Sequence, residues 1–220
     1  MTERPELPES LPLFPLPATV LFPGMRLPLY IFEDRYRQLV TDCILTGTPF
    51  AILLATASEV ADSPGDPYRI GTAARIYEVE RNSDGTMNIS TVGGERIEVV
   101  EFDRKSKPYL VGKVLELPLR ASDPAVIEVA AWDARELFPK YLNLLLARSG
   151  ADAVDFEMPM SPQETASIIC ANLQINPEVK QALLEAPNLQ QRLDQAVEIL
   201  RGELSTLERP GDPDDQLSEA

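Results

Sequence analysis

Three proline-marked segments follow one another at the start of a 220-residue chain: Leu11-Pro-Leu-Phe-Pro-Leu16, Val20-Leu-Phe-Pro-Gly24 and Leu27-Pro-Leu-Tyr-Ile31. Each X-Pro pair disfavours the α region for the residue before it, so the first segment is extended. Phe22-Pro23-Gly24 reads as a turn, and a strand is expected around Arg26 to Ile31. Beyond it, Tyr36, Leu39, Val40, Cys43 and Ile44 recur at helical spacing and predict a helix over Glu33 to Leu45, closed by Gly47. A β-rich beginning with one early helix is the reading on which the fold class turns.

The punctuation continues outward. Phe50 to Thr56 is a continuous apolar run short enough for a buried strand, and Ser63-Pro64-Gly65-Asp66-Pro67 reads as a loop. Strands are expected at about Ile70–Glu80 and Thr86–Val92, joined through Asn82-Ser83-Asp84-Gly85, a hairpin signal. Gly93-Gly94 reads as a bulge or tight turn between strands; alternating residues near Ile97 to Glu101 and a run from Tyr109 to Leu117 complete six or seven short strands. Near residue 120 the period changes. Ser122-Asp123-Pro124 opens a long helix with Ile127, Ala130, Ala134, Phe138 and Tyr141 on one face, and Pro139 is expected to kink or split it. Ser161-Pro162-Gln163-Glu164 is a capping box, Asn176-Pro177 opens a third helix, and Leu189, Leu193, Val197, Leu200, Leu204 and Leu207 stripe a fourth. The expected architecture is α+β: a 1–9 extension, a 10–118 antiparallel β pseudobarrel with one helix, a 119–207 helical bundle and a 208–220 disordered acidic tail.

Charge and composition exclude much chemistry. Thirty-five acids against 20 bases give a net charge of −15, unsuited to general nucleic-acid binding. Histidine is absent, which removes Ser-His-Asp triads, Cys-His dyads and His-ligated metals. No GxxxxGK[ST] phosphate loop occurs. Asp212, Asp214 and Asp215 lack an EF-hand layout. No catalytic, metal or cofactor residues are therefore expected. Cys43 and Cys170 lie in apolar helical patterns and read as buried, reduced thiols. The acidic start and the lack of a long apolar stretch imply a cytoplasmic protein without a membrane span.

The aromatic residues Phe14, Phe22, Tyr30, Phe32 and Tyr36 crowd the first 36 positions. Most should fill the core. Phe22 and Met25, on a segment that Pro and Gly force into a loop, are with Tyr30 the candidate contacts to an outside polypeptide. Arg96, Arg104, Lys105 and Lys107 form a local basic run, read as a solvated strand edge.

In order, Leu11–Leu16, Val20–Gly24, Leu27-Pro-Leu29, Ile31-Phe-Glu-Asp-Arg-Tyr36, Gly71–Ile76, Asp84-Gly85, Gly93-Gly-Glu-Arg96, Pro108-Tyr-Leu110 and Ile175–Pro187 resemble the N-terminal, substrate-binding domain of Lon ATP-dependent proteases over roughly residues 10–205. Asp34 and Ile97 depart from that pattern, where the family often has Pro and an aromatic. The resemblance implies a PUA-like pseudobarrel followed by helices, and Gly93–Arg96 as a Gly-x-x-Arg turn. It also implies a free-standing, non-catalytic module without ATPase or peptidase. Such a module would be an adaptor or holdase binding unfolded or degron-bearing polypeptides through exposed apolar segments, with a separate protease or chaperone to receive them. The alternative is a small-molecule or RNA-related binder using the PUA-like barrel.

Overall fold

The computed structural model describes residues 6–56 and 66–208. The 1–5 part of the expected extension, Ser63-Pro64-Gly65 and the acidic tail from residue 209, with its three aspartates, lie outside the described residues. Within them the chain forms six strands: β1 (Ser10–Leu16), β2 (Arg26–Ile31), β3 (Phe50–Leu54), β4 (Ile70–Arg81), β5 (Met87–Asp103) and β6 (Val111–Glu116). Five helices accompany them: α1 (Asp34–Thr46), α2 (Pro124–Arg148), α3 (Pro162–Asn172), α4 (Pro177–Glu185) and α5 (Leu189–Leu207). The α+β class holds.

The strands make one sheet in the order β2-β5-β4-β3-β1-β6, with a further pairing of β6 to β5. Most neighbours are antiparallel, but β1 and β3 are parallel, the α1 connection carrying the chain back to the same end. The expected antiparallel pseudobarrel is corrected in its pairing: the sheet is curled and mixed, and it is not a closed barrel. The seam between β1 and β6 rests on a short register, Ser10↔Lys113 to Pro12↔Val111, and β2 stays outside on β5.

Strand β5 makes the curl possible. Its first half pairs with β2 from Met87 to Val92, and its second half pairs with β6 from Ile97 to Asp103, on the edge that β2 has left. Of the bulge or tight turn expected at Gly93-Gly94, it is the bulge that forms: β5 continues through it for 17 residues, while its pairing with β4 shifts between Thr72↔Arg96 and Ala74↔Gly93. These glycines answer a crossing, not a turn. Gly93 donates to the Met25 carbonyl (2.8 Å) and accepts from Gly24 N–H (2.8 Å), and a Cβ on Gly93 would collide with the Phe22 carbonyl oxygen. Bulges in β4–β5 and β5–β6 add the twist that such a long strand needs.

Strand β3 is buried on both faces, as its uninterrupted Phe-Ala-Ile-Leu-Leu predicts. Phe50 and Ile52 join Phe14, Leu39, Val40, Cys43 and Ile89 under α1; Ala51 and Leu53 join Leu11, Leu13, Ile97, Val99 and Val114 on the other side. Gly47, in the left-handed region at φ 67°, ends α1 where the sequence places the stop.

The chain divides into two units, and not at one point. The first draws on residues up to Leu119 together with Cys170–Ala186; the second takes Arg120–Ile169 and the chain from Pro187. The two units thus interleave along the chain. Arg96 shows why. Its side chain is buried and donates to the carbonyls of Leu117 (2.9 Å), Leu184 (2.8 Å) and Ala186 (2.5 Å), fastening the end of α4 to the sheet. Gln181 of α4 adds a bond to the Ile70 carbonyl at 2.8 Å.

In the second unit α2 and α5 run side by side in the same direction. They start together at the Arg120–Asn188 bridge and are tied by Asp133–Arg201 (2.7 Å) and by Arg148 to the Leu207 carbonyl (3.0 Å). Helix α2 continues unbroken through Pro139, so the helix is not split there, while Ala130, Ala134, Phe138 and Tyr141 are buried as their spacing predicts. Asp123, Asn176 and Asn188 each cap their helix through a side-chain oxygen.

Replacing Arg96 by Ala strands several buried carbonyls, each costing about 1–3 kcal/mol. Urea unfolding of Arg96→Ala should show a loss of at least about 3 kcal/mol, with Arg96→Lys recovering only part. A loss within about 0.5 kcal/mol would refute the role assigned to this guanidinium.

Candidate functional site

The outer face of β2, β5 and β4 is built by alternation, regular along β2 and broken on β4 by a bulge. Leu27, Leu29 and Ile31 turn inward, while Arg26, Pro28 and Tyr30 face out, as the alternating burial of β2 records. Register places Pro28 beside Ser90 and Glu78, and Tyr30 beside Asn88 and Glu80. Ser90 Oγ donates to Glu78 (3.1 Å) and Asn88 Nδ2 to Glu80 (3.3 Å), so the polar rim is held in place. These residues line an open cleft of about 720 Å³. A second depression of about 370 Å³, lined by Ile44, Pro49, Tyr77 and Val79, shares Glu78 and Val79 with it.

Large apolar side chains border this strip in water. Tyr30 is 55% exposed and Phe32 61%, their rings stacked with centroids 5.9 Å apart. Tyr77 is 54% exposed, with the Arg26 guanidinium 5.9 Å over its ring. Strand β2 ends the sheet order, so no described strand pairs with its outer edge. Because Met25 and Leu27 turn their carbonyls to β5, Arg26, Pro28 and Tyr30 direct theirs outward, and Pro28 contributes no N–H.

The three sequence candidates separate. Tyr30 lies on this face. Met25 is half-buried and packs against the core. Phe22 is a correction: it is fully buried. Pro23 and Gly24 do make a surface turn, closed by Met25 N–H to the Phe22 carbonyl (3.0 Å) with Gly24 at φ 81°, a type II pattern. The residue entering the turn is clamped where its strand segment crosses β5 at Gly93, and Thr72 Oγ1 holds the neighbouring Leu21 carbonyl at 2.5 Å. Phe32 and Tyr77 complete the face. Phe32 is one of the crowded aromatics expected mostly in the core and is instead exposed, whereas Tyr77 carries no signal in the sequence, since a bulge between Ile76 and Glu78 turns it outward.

The basic run also comes apart. Arg96 is internal; Arg104 pairs with Asp66 (2.7 Å) and Lys107 with Asp42 (3.0 Å). Asp42 also accepts from the Tyr109 hydroxyl at 2.6 Å. That hydroxyl, then the Lys107 ammonium, hold the Asp42 carboxyl below its ordinary value, while burial and the adjacent carboxylate push the Tyr109 phenol upward. Burial pushes the Cys43 thiol up to about 12, and Cys43 and Cys170 are free and buried. Among the described residues no three His, Cys, Asp or Glu side chains gather as a metal site, and no helix is long and apolar enough to cross a membrane.

The described residues thus present a curled mixed sheet with an exposed aromatic strip beside an open edge strand. The chain belongs to the family described as the ATP-dependent protease La (LON) substrate-binding domain, whose family model matches residues 10–202. It is 30% identical over 209 residues to a Lon protease of Dictyoglomus thermophilum, covering 94% of this chain and 26% of that protein. A Lon protease of Roseiflexus castenholzii is also 30% identical over 209 residues, covering 93% of this chain and 25% of its own length. The chain thus spans about a quarter of the length of the curated relatives it matches. The N-terminal domain of a Mycobacterium avium complex Lon protease shares the fold at TM-score 0.67 and 19% identity, covering 89% of this chain and 98% of that one. A Lon N-terminal domain protein from Xanthomonas campestris does so at 0.58 and 24%, covering 86% and 97%.

Two measurements check the local assignments. Phe22→Ala should cost about 3–5 kcal/mol of stability, read by denaturant unfolding; a near-native midpoint would return Phe22 to the surface. The pH profile follows from Asp42 and Tyr109. Asp42, lowered in the fold, stabilises above its ordinary value of 3.8 and loses that contribution as pH falls through its lowered native value. Tyr109, raised in the fold, stabilises below its ordinary 10.0 and loses its contribution as pH climbs above it. Asp42→Asn should remove this acid limb from a stability-against-pH curve and lessen the alkaline one, where the burial of Tyr109 persists, and unchanged limbs would refute the coupling.

Proposed function

We propose that the chain is a non-catalytic polypeptide-binding module, acting as an adaptor or holdase for exposed apolar segments of unfolded or degron-bearing proteins. The observation that carries this reading is the exposed Tyr30–Phe32 pair beside the cleft of about 720 Å³. Aromatic side chains offer large contact area at low entropic cost and are enriched where binding energy concentrates. The carbonyls of Arg26, Pro28 and Tyr30 can accept backbone N–H groups from an extended chain, and Glu78 and Glu80 favour basic residues beside its apolar ones. Membership of a substrate-binding family supports the same reading. A separate protease or chaperone would receive the bound chain, and the site of action would be the cytoplasm. The alternative of an RNA-related ligand is weakened, since Arg96 is internal and Arg104 and Lys107 are each paired with a carboxylate.

The test is the double variant Tyr30→Ser/Phe32→Ser. Both side chains are solvated, so stability should stay within about 0.5 kcal/mol per site. Capture of a reduced, carboxymethylated model protein should weaken about tenfold or more, as losing central aromatic anchors does. Native stability with undiminished capture would overturn the assignment.

A further inference from the structure

The second unit carries a site of its own. The first half of α2 presents Val126, Val129 and Trp132 to solvent, the last two each 69% exposed. Val is a poor helix former and Trp a costly solvated side chain, so neither helix propensity nor solubility explains this choice on an exposed face. Val126, Val129 and Ala130 floor a groove of about 420 Å³ between α2 and α5, with Val197 on the opposite wall. Trp132 stands one turn beyond Val129 on the same helix.

The groove is charged along one side only. Asp133 is neutralised by Arg201 at 2.7 Å. Asp194 and Glu198, four residues apart on α5, form an exposed acidic row with no ion-pair partner among the described residues. From Val126 to Asp133 the floor runs about 10 Å, or about two helical turns. A second copy of the chain fits badly, since a two-fold pairing would face two such acidic rows across the seam in a protein of net charge −15.

We propose that this groove docks a short amphipathic helix from a partner protein, its apolar side chains on Val126, Val129 and Trp132 and its Lys or Arg residues on Asp194 and Glu198. A third helix laid between two packed ones buries both grooves at once, and the acidic row selects and orients a basic partner. The site is separate from the β2 face and does not depend on the function proposed for it.

Trp132 is the only tryptophan, so its emission reports on the exposed α2 face beside this groove. The probe is a peptide of about 14 residues, about four turns, made of Leu and Lys in amphipathic order; its Leu and Glu counterpart is the control. Adding the Leu/Lys peptide to the full chain should shift Trp132 emission to the blue, and raised salt should weaken the effect. Asp194→Asn/Glu198→Gln should weaken binding about fivefold or more. Val129→Ser should weaken it as well, with melting unchanged in both. Asp152→Asn/Asp155→Asn removes the same charge from exposed positions elsewhere and should leave binding as it was. The proposal is overturned by equal binding of the Leu/Glu peptide, by equal weakening in the Asp152/Asp155 variant, or by binding without a Trp132 shift. Sedimentation showing a dimer that already shields Trp132 would assign the groove to a second copy and overturn it too.

Discussion

The Arg96 guanidinium is the constraint on which the first unit depends. A buried cation must be matched by acceptors, and here backbone carbonyls at Leu117, Leu184 and Ala186 supply them. Those acceptors come from opposite ends of a long stretch of chain. Satisfying one side chain therefore brings residues 170–186 back to the sheet and leaves 120–169 and the final helix to form a unit of their own. The parallel run of α2 and α5 follows from the same detour, since two helices leaving in one direction need a long return connection between them.

A second constraint is steric. Strand β5 serves β2, β4 and β6 in turn, and it can pass beneath the Val20–Gly24 segment only because Gly93 has no side chain. The crossing buries Phe22, frees β2 to lie outside the curl, and leaves the β2 edge without a described partner strand. The exposed aromatic strip is a by-product of that arrangement: an outer strand whose even-numbered residues have nothing packed over them. The strip rests on a hydrogen-bonded sheet, which would limit the entropy lost by a ligand bound there.

Local rules were legible wherever neighbours in sequence decide the outcome. The α1 span with its Gly47 stop, the doubly buried β3, the Asn82–Gly85 hairpin, the helix caps and the two buried thiols all followed from period, breaker and cap chemistry. Of the candidate site, only Tyr30 was singled out in the sequence; Phe32 was grouped with aromatics expected in the core, and Tyr77 was hidden by a bulge that alternation cannot see. Phe22 was misplaced because a Pro-Gly turn fixes the backbone at the surface without fixing where the residue before it points.

The sequence by itself determined the elements, the α+β class and the lack of histidine chemistry, because these depend on side-chain type and on spacing over a few residues. Only the tertiary structure decided that Gly93-Gly94 lies inside one long strand, that Arg96 is a staple within the fold, that β1 and β3 are parallel and that the two units interleave. Each of those outcomes is set by atoms brought together from distant positions: a carbonyl against a missing Cβ, a guanidinium against helix-end carbonyls. No local pattern encodes such a meeting, since the same glycine or arginine would read identically in a turn or on a solvated edge.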